Sequence, residues 1–355
     1  MLALLWKLLA VYNGMHQELS YAKLRDESFA EVKTPGFTDE KNTPTLAAVG
    51  VRSSVSDMLT WAKALLEAQV SRSTPAGNPI RELSAIWSPQ SEVEPGVNYC
   101  FGWYRGHLPG AGFGAIGHNH RVREQNPDEY NKRYVLGRES GALPFIGHSG
   151  NCSGFASSMY VFPETSSAVV AMANGMDLGD AADVAVKIFT QALFDLKPQV
   201  DLLELAQKEA QLHQKWFEDI LVEWCEDRDI TQKEAGLQDY VGDYEGFGIR
   251  INVFLREETG RLAFTLNSVP QSLCDLEYYR KDNFDVYSFL PLNRDAWLTR
   301  AMFDWDYYAV GLFYFARNKK QKVYGLSWMY EVTEEMGWFR RSTTERNGEP
   351  PSGPP

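Results

Sequence analysis

Gly147-His148-Ser149-Gly150-Asn151-Cys152-Ser153-Gly154-Phe155 is the stretch that decides how this chain is read. Its small residues, Gly147, Ser149, Gly150, Ser153 and Gly154, let a backbone approach a ligand closely, which bulky side chains would forbid. Apart from Cys152, His148 is the one titratable group within it. Leu143-Pro144-Phe145-Ile146 leads in. Behind it, residues 157–162 and 168–173 are expected to be two strands, separated by a turn at Pro163-Glu164-Thr165. The segment is therefore expected at a sheet edge that presents His148, Ser149 and Gly150.

Two further stretches belong with it. Residues 48–66, AVGVRSSVSDMLTWAKALL, join a Gly-containing turn to a Ser-x-x-Asp helix start; Ser56 or Asp57 can cap, and Leu59, Ala62, Leu65 and Leu66 recur at helical spacing. Residues 99–104, YCFGWY, read as an aromatic strand containing Gly102 and Trp103. Together the three stretches resemble the serine β-lactamase and penicillin-binding-protein superfamily, in the His-x-Gly form of its third motif found in class C-like, peptidase S12-type esterases, D-aminopeptidases and acyltransferases. The resemblance covers about residues 22–196. It implies that His148 lines one wall of an acyl-binding cleft and polarises the substrate, while the extended backbone at Ser149 and Gly150 binds it.

The superfamily attacks with a Ser activated by the Lys one helical turn later in Ser-x-x-Lys, assisted by a Tyr-x-Asn motif. No Tyr-x-Asn occurs in this chain, and its one attractive Ser-x-x-Lys is Ser20-Tyr21-Ala22-Lys23. That stretch looks like the family's connecting region, downstream of both motifs, so Ser20 is not expected to be the nucleophile. Ser149 with His148 as its base is also discounted, because neighbours on a strand point to opposite faces.

With 355 residues the chain has room for two domains, and 44% hydrophobic content is globular in character. A net charge of −12 argues against nucleic acid as a partner, since phosphate contacts need clustered Lys and Arg. The four cysteines, Cys100, Cys152, Cys225 and Cys274, are scattered without metal-ligand spacing; they read as free thiols in a reducing compartment, and a cytoplasmic location is expected. His107, His118 and His120 fall in a Gly-rich loop with no carboxylate or Cys at fixed spacing, so no metal site is expected there. The loop at 107–141 reads as an insertion beside the cleft, of a length typical of lids. The apolar residues 1–11 are too short to span a bilayer and are expected to form a buried or interfacial helix rather than an export signal; another reading is that a preceding coding region carries the missing motifs.

Residues 201–229 repeat apolar groups at three- and four-residue steps, from Leu202, Leu205 and Ala206 to Ile220, Leu221 and Trp224, and are expected to form a connector helix. Beyond residue 237 the period falls to two. Hairpins are expected at 249–266, 273–289 and 309–330, with a last strand at Trp338-Phe339, making an antiparallel β-barrel or sandwich. Tyr240-Val241-Gly242-Asp243-Tyr244 resembles the opening of the lipocalin-like domain appended to many class C-like relatives. The Gly- and Pro-rich end is expected to be disordered.

The expected fold class is thus α+β: the rear portion of a β-lactamase/transpeptidase-like α/β sandwich (1–198), a connector (199–236), a lipocalin-like β domain (237–341) and a tail (342–355). The resemblance implies a fungal-type serine hydrolase or acyltransferase acting on an ester or amide of a small molecule, in secondary metabolism, with no cofactor, no metal and no membrane partner; a homo-oligomer is compatible with it. The alternative is an inactive auxiliary protein that keeps the cleft wall, or a truncated form of such an enzyme.

Overall fold

The structure, a computed structural model, describes residues 19–32, 53–70, 78, 80–110, 112–114, 117–152, 154–231, 236–300, 307–330 and 336–342. The expectations for residues 1–11, for the Gly-containing turn at 48–52 and for the tail from 343 onward lie outside the described residues. The chain divides into two compact units, residues 1–30 with 51–216 and residues 31–50 with 217–355.

In the first unit, β1 (Tyr21–Lys23) lies between β2 (Phe29–Glu31) and a short parallel partner far along the chain. Helix α1 (Val55–Val70) starts at Ser54. The Asp57 amide donates to Ser54 Oγ at 3.2 Å, and that hydroxyl donates to the Asp57 carboxylate at 2.9 Å. The cap is therefore Ser54 rather than Ser56 or Asp57, because only a residue outside the first turn can turn its side chain back on the free amides. Then come α2 (Leu83–Ile86), β3 (Ser91–Glu94), β4 (Val97–Tyr99) and β5 (Tyr104–Leu108).

The stretch expected to be a lid-like loop instead folds α3 (Arg121–Gln125) and α4 (Pro127–Arg133). Asn126 Oδ1 accepts from the Glu129 amide at 3.1 Å with Pro127 opening the helix, a local start signal. The start of α3 is capped from afar: Glu209, only 2% exposed, accepts from the amides of Arg121 and Val122 at 3.0 and 3.1 Å.

Strands β6 (Leu143–Cys152), β7 (Phe155–Phe162) and β8 (Ser167–Ala173) follow, with the expected turn at Pro163–Thr165, then β9 (Gly175–Met176), which pairs with β1, and helices α5 (Ala181–Leu193) and α6 (Leu202–Asp227). Strands β3 to β8 form one antiparallel sheet in sequence order. Alternation along them builds a core on each face. Phe145, Tyr160, Phe162, Val169 and Ala171 pack with Ala182 and Val186 of α5 and with Leu202 and Leu205. Ile146, Met159 and Val161 pack with Ala62 and Leu65 of α1 and with Trp87 and Trp103. Each strand residue commits to one layer or the other, so the register decides which side chains remain at the surface.

The second unit contains β10 (Gly242–Gly246), β11 (Ile249–Leu255), β12 (Leu262–Leu266), β13 (Cys274–Asp275), β14 (Glu277–Lys281), β15 (Asp285–Ser288), α7 (Arg294–Thr299), β16 (Leu312–Arg317), β17 (Val323–Trp328) and β18 (Gly337–Arg341). The sheet runs β13-β12-β11-β10-β18-β17-β16-β15-β14, all antiparallel. Its two ends, β13 and β14, are separated in the chain by Leu276 alone, whose amide still donates to Leu262 O at 2.8 Å. One bent strand thus pairs with β12 at its start and with β15 at its end, so the sheet is nearly closed as an up-and-down barrel. Aromatic rings fill it: Phe264 meets Phe313 at 4.7 Å between ring centroids, and Tyr240 meets Tyr287 at 4.9 Å, all four essentially inaccessible.

Candidate active-site wall

Strand β6 changes character at His148. Phe145, Ile146 and Gly147 are buried, whereas His148 and Gly150 are exposed and Ser149 is half-buried. The hydrogen-bond ladder explains the change. From Leu143 to Gly147, β6 pairs with β5, and from Ile146 onward it also pairs with β7; the ladder to β5 ends at Tyr104 opposite Gly147, while that to β7 continues through His148, Ser149 and Gly150 to Cys152. The three residues singled out in the sequence therefore sit together where β6 has left one neighbouring strand and kept the other.

Gly147 is required by close packing. A Cβ there would lie 2.3 Å from Cδ1 of Tyr160 and 2.9 Å from the Met159 carbonyl oxygen. The Tyr160 ring occupies that space and its hydroxyl accepts from the Gly114 amide at 2.9 Å, anchoring the strand immediately before His148. Burial, then the nearby Asp183 carboxylate, drive the Tyr160 phenol far above its ordinary pKa, so it stays neutral.

The Nδ1 of His148 is 2.5 Å from the carbonyl oxygen of Ser149. A carbonyl only accepts, so Nδ1 carries the proton in this contact and, in the neutral ring, Nε2 is the acceptor. The ring of Tyr104 lies 5.2 Å from that of His148, and Tyr99 stands 5.1 Å behind Tyr104. Burial, with Tyr99 adding to it, raises the Tyr104 phenol and keeps it neutral as well. Tyr104 is the neighbour that sequence reasoning missed, because its position opposite Gly147 follows from the register. Of the other residues quoted there, Trp103 turns into the core and Gly102 takes a left-handed backbone (φ 76°) ahead of it.

A family model described as β-lactamase matches residues 11–192. The chain belongs to the β-lactamase family. No curated protein matches it. Among solved structures, it is similar to the octameric penicillin-binding protein homologue from Pyrococcus abyssi, at 12% identity and a TM-score of 0.32, covering 94% of this chain and 55% of that one. The crystal structure of SurE is similar at 16% identity and a TM-score of 0.30, covering 93% of this chain and 57% of that one. The chain thus spans little more than half the length of these two proteins.

For a β-lactamase-family chain, the local structure around Ser20 is informative. Ser20 is buried and directly precedes β1, and Lys23 is the last residue of that strand, where its Nζ lies 2.7 Å from Glu27 Oε2. Three residues along a strand span about 10 Å and reverse the side-chain direction, whereas the family's serine and lysine need one helical turn to meet. Ser20 and Lys23 do not form that pair. His107, His118 and His120 are not gathered into a cluster either; among the described residues no three His, Cys, Asp or Glu side chains are placed to hold a metal ion. His120 instead lies 3.8 Å from Glu124. Cys100, Cys225 and Cys274 are free thiols, and among the described residues no helix is long and apolar enough to cross a membrane.

Proposed function

We propose that His148, Ser149 and Gly150 form the substrate-binding wall of a serine hydrolase or acyltransferase of the β-lactamase family, acting on an ester or amide of a small molecule. The observation that carries this reading is the end of the β5 ladder at Gly147, which leaves the β5-facing side of the following strand outside that ladder just where His148 becomes exposed. An extended acyl substrate can lie along this side of β6. Its oxygen meets the imidazole: a protonated ring donates from Nε2 and polarises the acyl group, while a neutral ring accepts at Nε2 from water or a leaving group. Membership of the family supports an acyl-serine reaction class, and Ser20 and Lys23, the one Ser-x-x-Lys singled out in the sequence, lie along a strand and do not supply its Ser-Lys couple.

That last observation favours a second reading, an auxiliary protein that binds the acyl compound without cleaving it, because nucleophile and base act as a unit. The lipocalin-like assignment of the barrel, a fungal type and a role in secondary metabolism belong to the proposal too, resting on resemblance, as does a cytoplasmic location, resting on the scattered cysteines. The deciding experiment is intact-mass analysis of the folded chain after exposure to a broad phosphonylating serine-hydrolase probe, with peptide mapping. One stoichiometric adduct supports the enzyme and identifies its serine. A folded chain that takes up no adduct, yet binds a small acyl amide through His148, supports the auxiliary role. A chain that does neither refutes both.

A further inference from the structure

The side chain of His148 is held at two points. Its Nδ1 meets the carbonyl oxygen of Ser149 at 2.5 Å, and its ring lies 5.2 Å from that of Tyr104 at an interplanar angle of 48°. The first contact is a weak restraint by itself, because it joins neighbouring residues through side-chain bonds that rotate between staggered wells. Holding an exposed side chain in one rotamer costs entropy, which a second, rigid contact has to offset.

Tyr104 is such a rigid neighbour because the β4–β5 hairpin is tied into the core just behind it. The Cys100 amide donates to the Trp103 carbonyl oxygen at 2.7 Å across the turn, and Gly102 supplies the left-handed backbone that the turn contains. Cys100 and Trp103 are both buried in the core shared with α1, and the Phe101 amide donates to the Ile86 carbonyl oxygen at 3.2 Å. Tyr99 and Tyr104 are thereby the last pair of the two strands, half-buried, with their rings edge-on at 73°. That contact orients the Tyr104 ring. On the other side, Tyr104 is registered opposite Gly147, one residue before His148, and Gly147 is packed tightly on Tyr160. Both members of the Tyr104–His148 contact therefore stand on anchored backbone.

We propose that Tyr104 is a positioning residue: its ring keeps the His148 imidazole in the orientation in which Nδ1 donates to Ser149, so that Nε2 is the acceptor of the neutral ring. The inference rests on the reading of His148 as part of an acyl-binding wall, and it adds which nitrogen that wall presents and what holds it there. Tyr104 acts by contact and not by charge, because burial, with Tyr99 adding to it, raises its phenol and keeps it neutral. A phenylalanine can therefore replace it, whereas a side chain without a ring cannot.

The test is long-range proton–nitrogen correlation on the isotope-labelled full chain at about pH 9, where histidine side chains are neutral, with His148→Ala assigning the signals. The parent and Tyr104→Phe are each expected to show a single His148 tautomer, protonated at Nδ1 and bare at Nε2. Tyr104→Ala is expected to keep a cooperative melt but to show the two nitrogens averaged between tautomers. Should Tyr104→Ala fail to fold, Tyr104→Leu decides, since it keeps most of the bulk and lacks the ring. A parent whose His148 is protonated at Nε2, or a folded ringless variant whose His148 signals match those of the parent, would overturn the proposal. No substrate enters this measurement, so its failure is distinct from a failure of the acyl-binding reading, which the phosphonylating probe and acyl-amide binding decide.

Discussion

The Nζ of Lys187 lies 2.8 Å from Oδ2 of Asp183 one turn earlier on α5, and neither side chain is more than 3% exposed. Asn119 Nδ2 donates to the same oxygen at 2.8 Å and also to the Asp180 carbonyl, stitching the stretch ahead of α3 to the start of α5. Burial pushes the Asp183 carboxyl up against the pull of Lys187, while burial of Lys187 is outweighed by the Asp183 carboxylate, which holds the ammonium charged. Gly114, with a left-handed φ of 77°, makes room for the pair: a Cβ there would lie 2.3 Å from Lys187 Cε. Its amide in turn holds Tyr160, which packs on Gly147 beside His148. This lysine is structural, the far end of a brace on the site strand.

Replacing Lys187 by Met strands a buried carboxylate and is expected to cost about 3–5 kcal/mol. The double variant Lys187→Met, Asp183→Leu is expected to regain much of that, because removing both charges also removes their desolvation. Urea denaturation of the two variants beside the parent checks both expectations.

Gly147→Ala is expected to destabilise by about 1–3 kcal/mol through overpacking, since the new methyl meets the Tyr160 ring on one side and a backbone oxygen on the other. Thermal melts read the cost. A variant as stable as the parent would mean that the strand can shift away from Tyr160.

His148→Ala is expected to leave stability unchanged within about 0.5 kcal/mol, because the ring is exposed. If acyl turnover is present, kcat/KM for a fluorogenic ester is expected to fall by about a hundredfold or more. Measuring the melt and the turnover on one preparation separates a role in chemistry from one in folding.

The barrel contains its own buried charge pair: Asp285, 3% exposed, accepts from Arg317 Nε at 2.5 Å and lies 3.2 Å from Lys281 Nζ. Burial raises the Asp285 carboxyl, but the hydrogen bond and the charge of Arg317 outweigh it and hold the pKa below its ordinary value. The folded value is thus under the unfolded one of about 3.9, so the stabilisation is complete above that pH and is lost as the pH falls toward the folded value. The melting temperature is expected to drop below about pH 4 in the parent, whereas Asp285→Asn should melt lower at neutral pH and lose less in acid. Calorimetry of both proteins from pH 7 downward tests this.

Much of the architecture was legible in the amino-acid order because it depends on local rules. The period-two runs around His148 and beyond residue 240 became strands, the Pro163 turn became a turn, and the three- and four-residue repeat became α6, since apolar spacing and turn chemistry act within a few residues. The grouping of His148, Ser149 and Gly150 was visible for the same reason: contiguous small residues stay contiguous in space. Tertiary structure decided what depends on distant partners. Glu209 caps a helix more than 80 residues earlier. The bend at Leu276 turns a row of hairpins into a nearly closed barrel. The register of β5 on β6 sets Tyr104 against His148 and ends the ladder at Gly147. Sequence periodicity specifies which face of an element is apolar, but only the packed chain specifies which element meets that face and where a pairing stops.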